Sequence, residues 1–551
     1  MLWTWPSGGP DASTRPGVPE ARSRPGGPGR VAVAGGALML TVAAGGTASC
    51  AVGHAASRPL RAVTRPPAAR ASVLSGAPAV VSARAASALF AKSTLVVLAN
   101  AGHEAAIEVA AARARHLHVP LLLVPQRPGA GLAGGRTRTG GAAAIARAGG
   151  GTPGPGAITV LRNEIRALGV REVLDLGVAT SLLAAQLPGV RVITSPGEAP
   201  PTQAPVPLRH VAVLLRSHDM SAGARAVLAT ARAAGTRPIA VSGFDPRADP
   251  GAIDALFATA PRQVLAVGAG FGPATRLAAR VTTAATGVQL PGGGQVLFPM
   301  HRLLALYGYP GTPALGALGA QGLSASIARI RRIAAAYRPL SRADVVPAFE
   351  IIATVAQASP GHDGSYSFES GLATLRPWVR RATAAGLYVV LDLQPGRASL
   401  LAQARRYRSL LRLPNVGLAL DPEWKLAPGE LPLRQIGSVG IAEVNVVIRW
   451  LAGLTARNHL PQKLLVLHQF RLSMISDERR LDTSHDDLAI VIHMDGQGTP
   501  ADKLQTWNAV TATAPAGVFF GWKNFYAKDH PTLSPVQTMV NTPQPVMISY
   551  Q

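Results

Sequence analysis

The sequence predicts an α/β protein in which two repeated parallel α/β units precede a C-terminal (β/α)8 TIM-like barrel. Three observations predict it. After residue 300, eight short apolar runs recur, most of them ending in a carboxylate, histidine, tryptophan or amide, and most intervals between them can hold a helix. Before residue 290, two stretches show the same order of apolar strand, Ala-rich helix, apolar strand, helix and apolar strand. Between them QLPGGGQ (289–295) marks a hinge-like boundary at which composition changes: all 8 Tyr, 5 of 7 Trp and 7 of 11 Phe follow it.

The first 50 residues read as a leader. A long N-region ending at Arg30 precedes the apolar stretch 31–48, then Ser49 and Cys50. That layout is a secretory signal. Small residues before a lone cysteine resemble a bacterial lipoprotein signal, which makes Cys50 the expected lipidation site and the membrane an expected partner through an N-terminal lipid or anchor. Export places the rest of the chain outside the cytoplasm, attached to membrane or wall. With one cysteine there is no intramolecular disulfide. Residues 51–91, rich in Ala, Arg, Pro and Ser, read as a disordered linker.

The first α/β unit spans 92–200, with TLVVLAN (94–100), VPLLLVP (119–125) and REVLDLG (171–177) as strands and a disordered Gly/Arg/Thr-rich insert near 127–156. The second spans 201–290, with HVAVLLR (210–216), RPIAVSG (237–243) and RQVLAVG (262–268). Continuous apolar strands between helices imply parallel sheets covered on both faces.

The net charge of +25 invites a nucleic-acid reading, but only 6 of the 54 basic residues are Lys, and Arg, Ala, Gly and Pro share GC-rich codons. No basic stripe with interleaved aromatics is present, so nucleic acid is not an expected partner. A basic surface does suit anionic envelope polymers or lipid headgroups. VGAGFGP (267–273) lacks the dinucleotide spacing.

The barrel is expected over 295–551, where the charge falls to +8 and the aromatics concentrate. Side chains alternate across a strand, so every second residue faces the barrel interior. In VGLALDPEW (416–424), Gly417, Ala419, Asp421 and Glu423 share one face and Leu418 and Leu420 the other. By the same alternation Glu350, Asp392 with Gln394, His468, and His493 with Asp495 point inward; in GVFFGWKNFY (517–526) the expected inward residues are Phe520 and Trp522, with Lys523 opposite or in the loop. Five carboxylates at one mouth raise at least one pKa and set a proton donor beside an ionised partner. Glycoside hydrolysis uses such a pair. The expected catalytic residues are Glu423 or Asp421 as acid and Asp495 or Glu350 as partner. The expected substrate-binding residues are Asp392, Gln394, His468, His493, Trp424, Trp522, Lys523, Tyr307 and Tyr309, the aromatics as platforms for sugar rings.

Other roles suit the same residues. Asp421 before Pro422 suits a turn, Asp392 a helix cap, Glu350 a structural ion pair, and His468 and His493 a satisfied core. No cofactor is expected. The rival chemistry is a divalent metal held by His468 and His493 with Asp495 and Asp392, although LYGYP (306–310) carries no His-x-His on the first strand.

Two resemblances add to this reading. PLLLV (120–124), VLDLGVATSLLAAQL (173–187) and VLAVGAG (264–270) resemble the second family of cell wall-binding repeats, with single glycines (Gly177, Gly268) where that family has a pair. The resemblance implies attachment to anionic wall polymer. LALDPEW (418–424), LVLHQF (465–470) and GWKNFY (521–526) resemble an uncharacterised group of actinobacterial exported, lipoprotein-like proteins, and the barrel as a whole is similar to glycoside hydrolases. Together these imply an envelope-attached hydrolase of a cell-envelope polysaccharide or glycoconjugate. The alternatives are a non-catalytic wall- or carbohydrate-binding lipoprotein and a metal-dependent hydrolase.

Overall fold

The computed structural model describes residues 61–125, 155–178, 187–199 and 202–551. The leader with Cys50, and most of the insert expected near 127–156, lie outside the described residues. No described helix is long and apolar enough to cross a membrane.

The N-terminal region holds two four-stranded parallel sheets. In space the first runs Leu121–Val124, Leu95–Asn100, Glu172–Leu176, Arg191–Ile193. The second runs Arg237–Val241, Val211–Arg216, Gln263–Val267, Ala71–Leu74. Counted along each repeat, both sheets have the order second, first, third, fourth. The fourth strand of the second sheet, however, is drawn from ahead of the first repeat.

Residues 62–89 are therefore not a tether. Besides strand Ala71–Leu74 they form Ala62–Thr64, antiparallel to Phe90–Ser93, and the helix Pro78–Leu89. That helix buries Val81, Ala85, Ala86 and Leu89 in a core shared with helices Glu104–His116 and Ala222–Ala233, whose buried faces are mostly alanine. Ser82 Oγ accepts from Leu123 N at 2.9 Å. The composition resembles a flexible linker because small side chains are what let helices pack this closely.

The boundary at 289–295 is pinned, not hinged. Gln295 is fully buried, its side-chain amide nitrogen donating to Thr283 O (3.0 Å) and Val288 O (2.8 Å), and its backbone carbonyl accepting from Gln462 N (2.8 Å). Beside it Asp486, just ahead of a barrel strand, binds both Arg247 and Arg280 at 2.7 Å.

The C-terminal region is a closed barrel of eight parallel strands: β1 (His301–Gly308), β2 (Asp344–Ala356), β3 (Tyr388–Leu393), β4 (Val416–Leu420), β5 (Lys463–Gln469), β6 (Leu488–Met494), β7 (Phe519–Asn524) and β8 (Met547–Tyr550). β1 pairs with both β2 and β8, which closes it. Inward positions fill the lower barrel with Leu303, Ala305, Val346, Ala348, Val390, Ala419, Val466 and Val491, and Leu297 and Phe298 plug its base. Outward positions such as Leu304, Phe349, Leu391, Leu418 and Leu465 pack on the surrounding helices. Apolar layers below leave the polar inward residues at the C-terminal ends, where barrel sites form.

In β7 the register differs from expectation by one residue. Gly521 and Lys523 face inward, and Phe520 and Trp522 face out into a pocket made by Met494 and Trp507. His493 favours this phase: a Cβ at Gly521 would meet its ring at 3.0 Å and press on the inward imidazole. The indole packs on the helix side, where Trp522 Nε1 donates to Asn524 Oδ1 (2.9 Å).

Candidate active site

Seven strands send polar side chains to the mouth: Tyr307 from β1, Glu350 from β2, Asp392 from β3, Asp421 and Glu423 from the end of β4, His468 from β5, His493 and Asp495 from β6, and Lys523 from β7. All but Glu423 are nearly fully buried; Glu423 keeps part of its surface open. The five carboxylates do converge.

Local sequence explains the β4 corner. Asp421 N–H donates to Leu393 O (3.0 Å), tying the strand end to β3. Pro422 then starts a single turn, Pro422–Trp424, because its fixed φ suits the first helical position. Glu423 O accepts from Gly437 N at 2.7 Å, an approach that a Cβ on Gly437 would block. Lys425 anchors the far side of the turn to Glu443 (3.2 Å) and Ala398 O (2.7 Å).

His468 is the hub. Nε2 lies 3.1 Å from Glu350 Oε1 and 3.8 Å from Asp392, and Nδ1 lies 3.2 Å from Asp495 Oδ2. Burial opposes a charged ring, but Glu350 and Asp495 outweigh it and hold the imidazole well above its ordinary pKa. His493 stacks on it at 5.2 Å and shows the reverse: burial, then the charges of His468 and Lys523, keep it well below the ordinary value. Its Nε2 meets Ser549 Oγ at 3.0 Å.

Both nitrogens of His468 face carboxylates, and His493 Nε2 meets Ser549 Oγ. Among the described residues, Asp421, Glu423 and Asp495 form a group that could hold a divalent cation, each offering an oxygen within 4.8 Å of the others.

The acids separate by environment. Burial, with Glu423 and Asp392 beside it, pushes Asp421 well above the carboxylate range. Burial, with Asp495 next, pushes Glu423 up to about 7. Burial outweighs His468 at Asp392 and brings it to about 6. Asp495 goes the other way: burial opposes ionisation, but the hydrogen bond and charge of His468 hold it below the ordinary value. A half-open, protonated Glu423 thus sits beside an ionised Asp495.

The remaining expected residues take different places. Tyr307 is not an open platform: it is buried, with its hydroxyl donating to Asp392 Oδ2 (2.9 Å) and its ring under Lys523 Nζ at 3.5 Å. Gln394 braces this pair, donating to Tyr307 Oη (3.3 Å) and accepting from Ala356 N (3.0 Å). Tyr309 packs half-buried against Tyr307, Ile352 and Val355, and Trp424 is half-buried on the β4 turn. Trp522 is outside the barrel lumen.

Sequence reasoning missed Ser549 and the support beneath Lys523. Ser549 lies two residues beyond the inward Met547, so alternation along β8 was the available signal. The support is the buried pair Lys503–Asp529: Lys503 Nζ donates to Lys523 O (2.6 Å), and Asp529 accepts from Phe525 N (2.9 Å). A buried lysine on the helix Pro500–Thr513 and an aspartate in a loop carry no shared sequence signal.

No family model matches the chain, and no curated protein matches it. Among solved structures, Cwp6 from Clostridium difficile is similar at 11% identity over 54% of this chain, with a TM-score of 0.26. This chain spans 64% of that chain's length. At that score the likeness carries no argument.

Proposed function

We propose that the barrel is a glycoside-hydrolase-like enzyme using carboxylate acid–base chemistry. The observation that carries this reading is the pair Glu423 and Asp495, whose oxygens come within 4.8 Å while one group is pushed up to about 7 and the other is held low. Glu423, open to the mouth, protonates the leaving glycosidic oxygen. Asp495 attacks the anomeric carbon as the carbon–oxygen bond breaks. Glu423, now ionised, takes a proton from the water that releases the sugar. Oxygens within 4.8 Å of each other leave less room than the roughly 6.5–9.5 Å of inverting pairs, so retention is the outcome this reading expects.

The substrate we propose is a cell-envelope polysaccharide or glycoconjugate, met by a protein exported and held at the membrane or wall. The signal-like layout through Cys50 and the wall-repeat resemblance of 92–290 support that setting. The test is a polysaccharide screen with wild type, Asp421→Asn, Glu423→Gln and Asp495→Asn. Turnover lost in Glu423→Gln and Asp495→Asn supports the pair; turnover untouched by all three removes it.

One observation favours a second reading. Glu350, Asp392 and His468 form a closed, fully buried network, as expected if the polar layer serves mainly to shape a non-catalytic carbohydrate-binding surface. Pull-down on purified cell wall, with wild type and Glu423→Gln, separates the two: binding with no turnover of any glycan favours it.

A further inference from the structure

Lys523 is the cation in this site that the protein leaves without an acceptor. Its side chain is about as buried as the acids around it, at 3% exposure. Its Nζ makes no hydrogen bond and no ion pair to any described residue; what it faces is the Tyr307 ring at 3.5 Å and the Phe525 ring at 5.3 Å. Asp392 accepts from the Tyr307 hydroxyl, and Asp495 and Glu350 face His468, while each of the three keeps a second buried oxygen without a hydrogen bond. The buried Lys503–Asp529 pair holds the backbone that carries this side chain, binding the Lys523 carbonyl and the following loop.

An ammonium on a nearly buried side chain that meets no acceptor in the protein favours an oxygen ligand at the mouth. Its position beside Asp495 and Glu423 makes that ligand part of whatever occupies the mouth. We infer that Lys523 receives an anionic oxygen substituent of the substrate sugar, so that the preferred glycan is acidic, carrying a carboxylate or a phosphate. The turnover arm of this inference rests on the hydrolase reading; the binding arm does not.

Calorimetry on the full chain at pH 7 tests it with glucuronate, galacturonate, glucose 6-phosphate and glucose as probes. Wild type is expected to bind at least one acidic sugar about tenfold or more tighter than glucose, and Lys523→Gln to bring that ratio to about one. Lys523→Arg keeps part of it. A merely structural Lys523 would weaken every probe alike and leave the ratio intact. Equal binding of acidic and neutral sugars, or no binding of either, overturns the inference. The uronate and phosphate arms separate the two sources of charge. A polysaccharide panel runs alongside: acidic-sugar binding without any turnover sinks the hydrolase reading and leaves Lys523 standing, whereas turnover of neutral glycans alone does the opposite.

Discussion

His468 lies between Glu350 and Asp495, 3.1 Å from one and 3.2 Å from the other. One imidazole ring therefore faces two buried carboxyl groups from strands on opposite sides of the barrel. Removing it takes that partner from both, and breaking a buried pair typically costs about 3–5 kcal/mol.

That relationship has a pH signature. Because the folded-state pKa of His468 is raised, its stabilisation is complete below the unfolded value near 6.5 and is lost as pH rises through the higher folded value. Chemical denaturation of wild type and His468→Ala is expected to show a larger gap at pH 6 than at pH 9.5. Nitrogen NMR should find both ring nitrogens of His468 protonated at pH 7.5 and those of His493 in the neutral form. A neutral His468 at that pH would undo the argument.

Glu423 titrates with the opposite consequence. Its folded pKa is raised from 4.5 to about 7, so the folded state resists losing that proton. Stability is lost between pH 4.5 and 7 as the unfolded state ionises first. Glu423→Gln should melt higher than wild type at pH 8, with the difference shrinking to nothing at pH 4. For turnover, the same proton predicts a loss of activity above about pH 7 and an acid limb set by Asp495. The substitution should lower kcat by roughly 10²–10⁴-fold.

Trp522 checks the corrected register. It is buried against Trp507 and Met494 outside the lumen. Trp522→Ala should cost about 3–5 kcal/mol in a urea titration, while any sugar that still binds the folded variant should do so with wild-type affinity. A selective loss of sugar binding with stability kept would return Trp522 to the mouth.

The contrast between Trp522 and Asp421 shows how far sequence carries. Leu418 and Leu420 against Gly417 and Ala419 set an unambiguous inside and outside for β4, so Asp421 followed. In β7 the run Phe519–Phe520–Gly521–Trp522 has large apolar groups on both faces, and alternation alone has no preferred phase. The observed phase is favoured by His493 on the neighbouring strand, a contact that no local window contains. The same limit hid the role of Tyr307: its ring was visible as an aromatic, but the hydroxyl's partner, Asp392, lies two strands away in the closed barrel.

Asp486 ties the α/β region to the barrel through Arg247 and Arg280. Arg247 is nearly buried and also pairs with Asp245. Asp486→Ala leaves one carboxylate for two guanidinium groups. Hydrogen exchange should then quicken around Arg247 and Gln295, while the amides of β2 and β3 stay protected. Unchanged exchange at 247 and 295 would mean the ion pairs are dispensable to that junction.

The segment 61–91 offers the sharpest separation between a composition argument and a packing argument. As a linker, it could be removed without consequence. In the structure, Ala71–Leu74 is an edge strand hydrogen-bonded along Gln263–Val267, and helix Pro78–Leu89 puts Leu89, Ala85 and Ala86 into the core shared by both sheets. A chain starting at residue 92 would lose that helix, uncover the alanine faces of Glu104–His116 and Ala222–Ala233, and present Gln263–Val267 as a bare edge. The expected result is a fragment that aggregates or melts far below the full chain, and is rescued when residues 61–91 are supplied as a separate peptide. A truncated protein that stays monomeric, with the melting temperature of the full chain, would restore the linker reading.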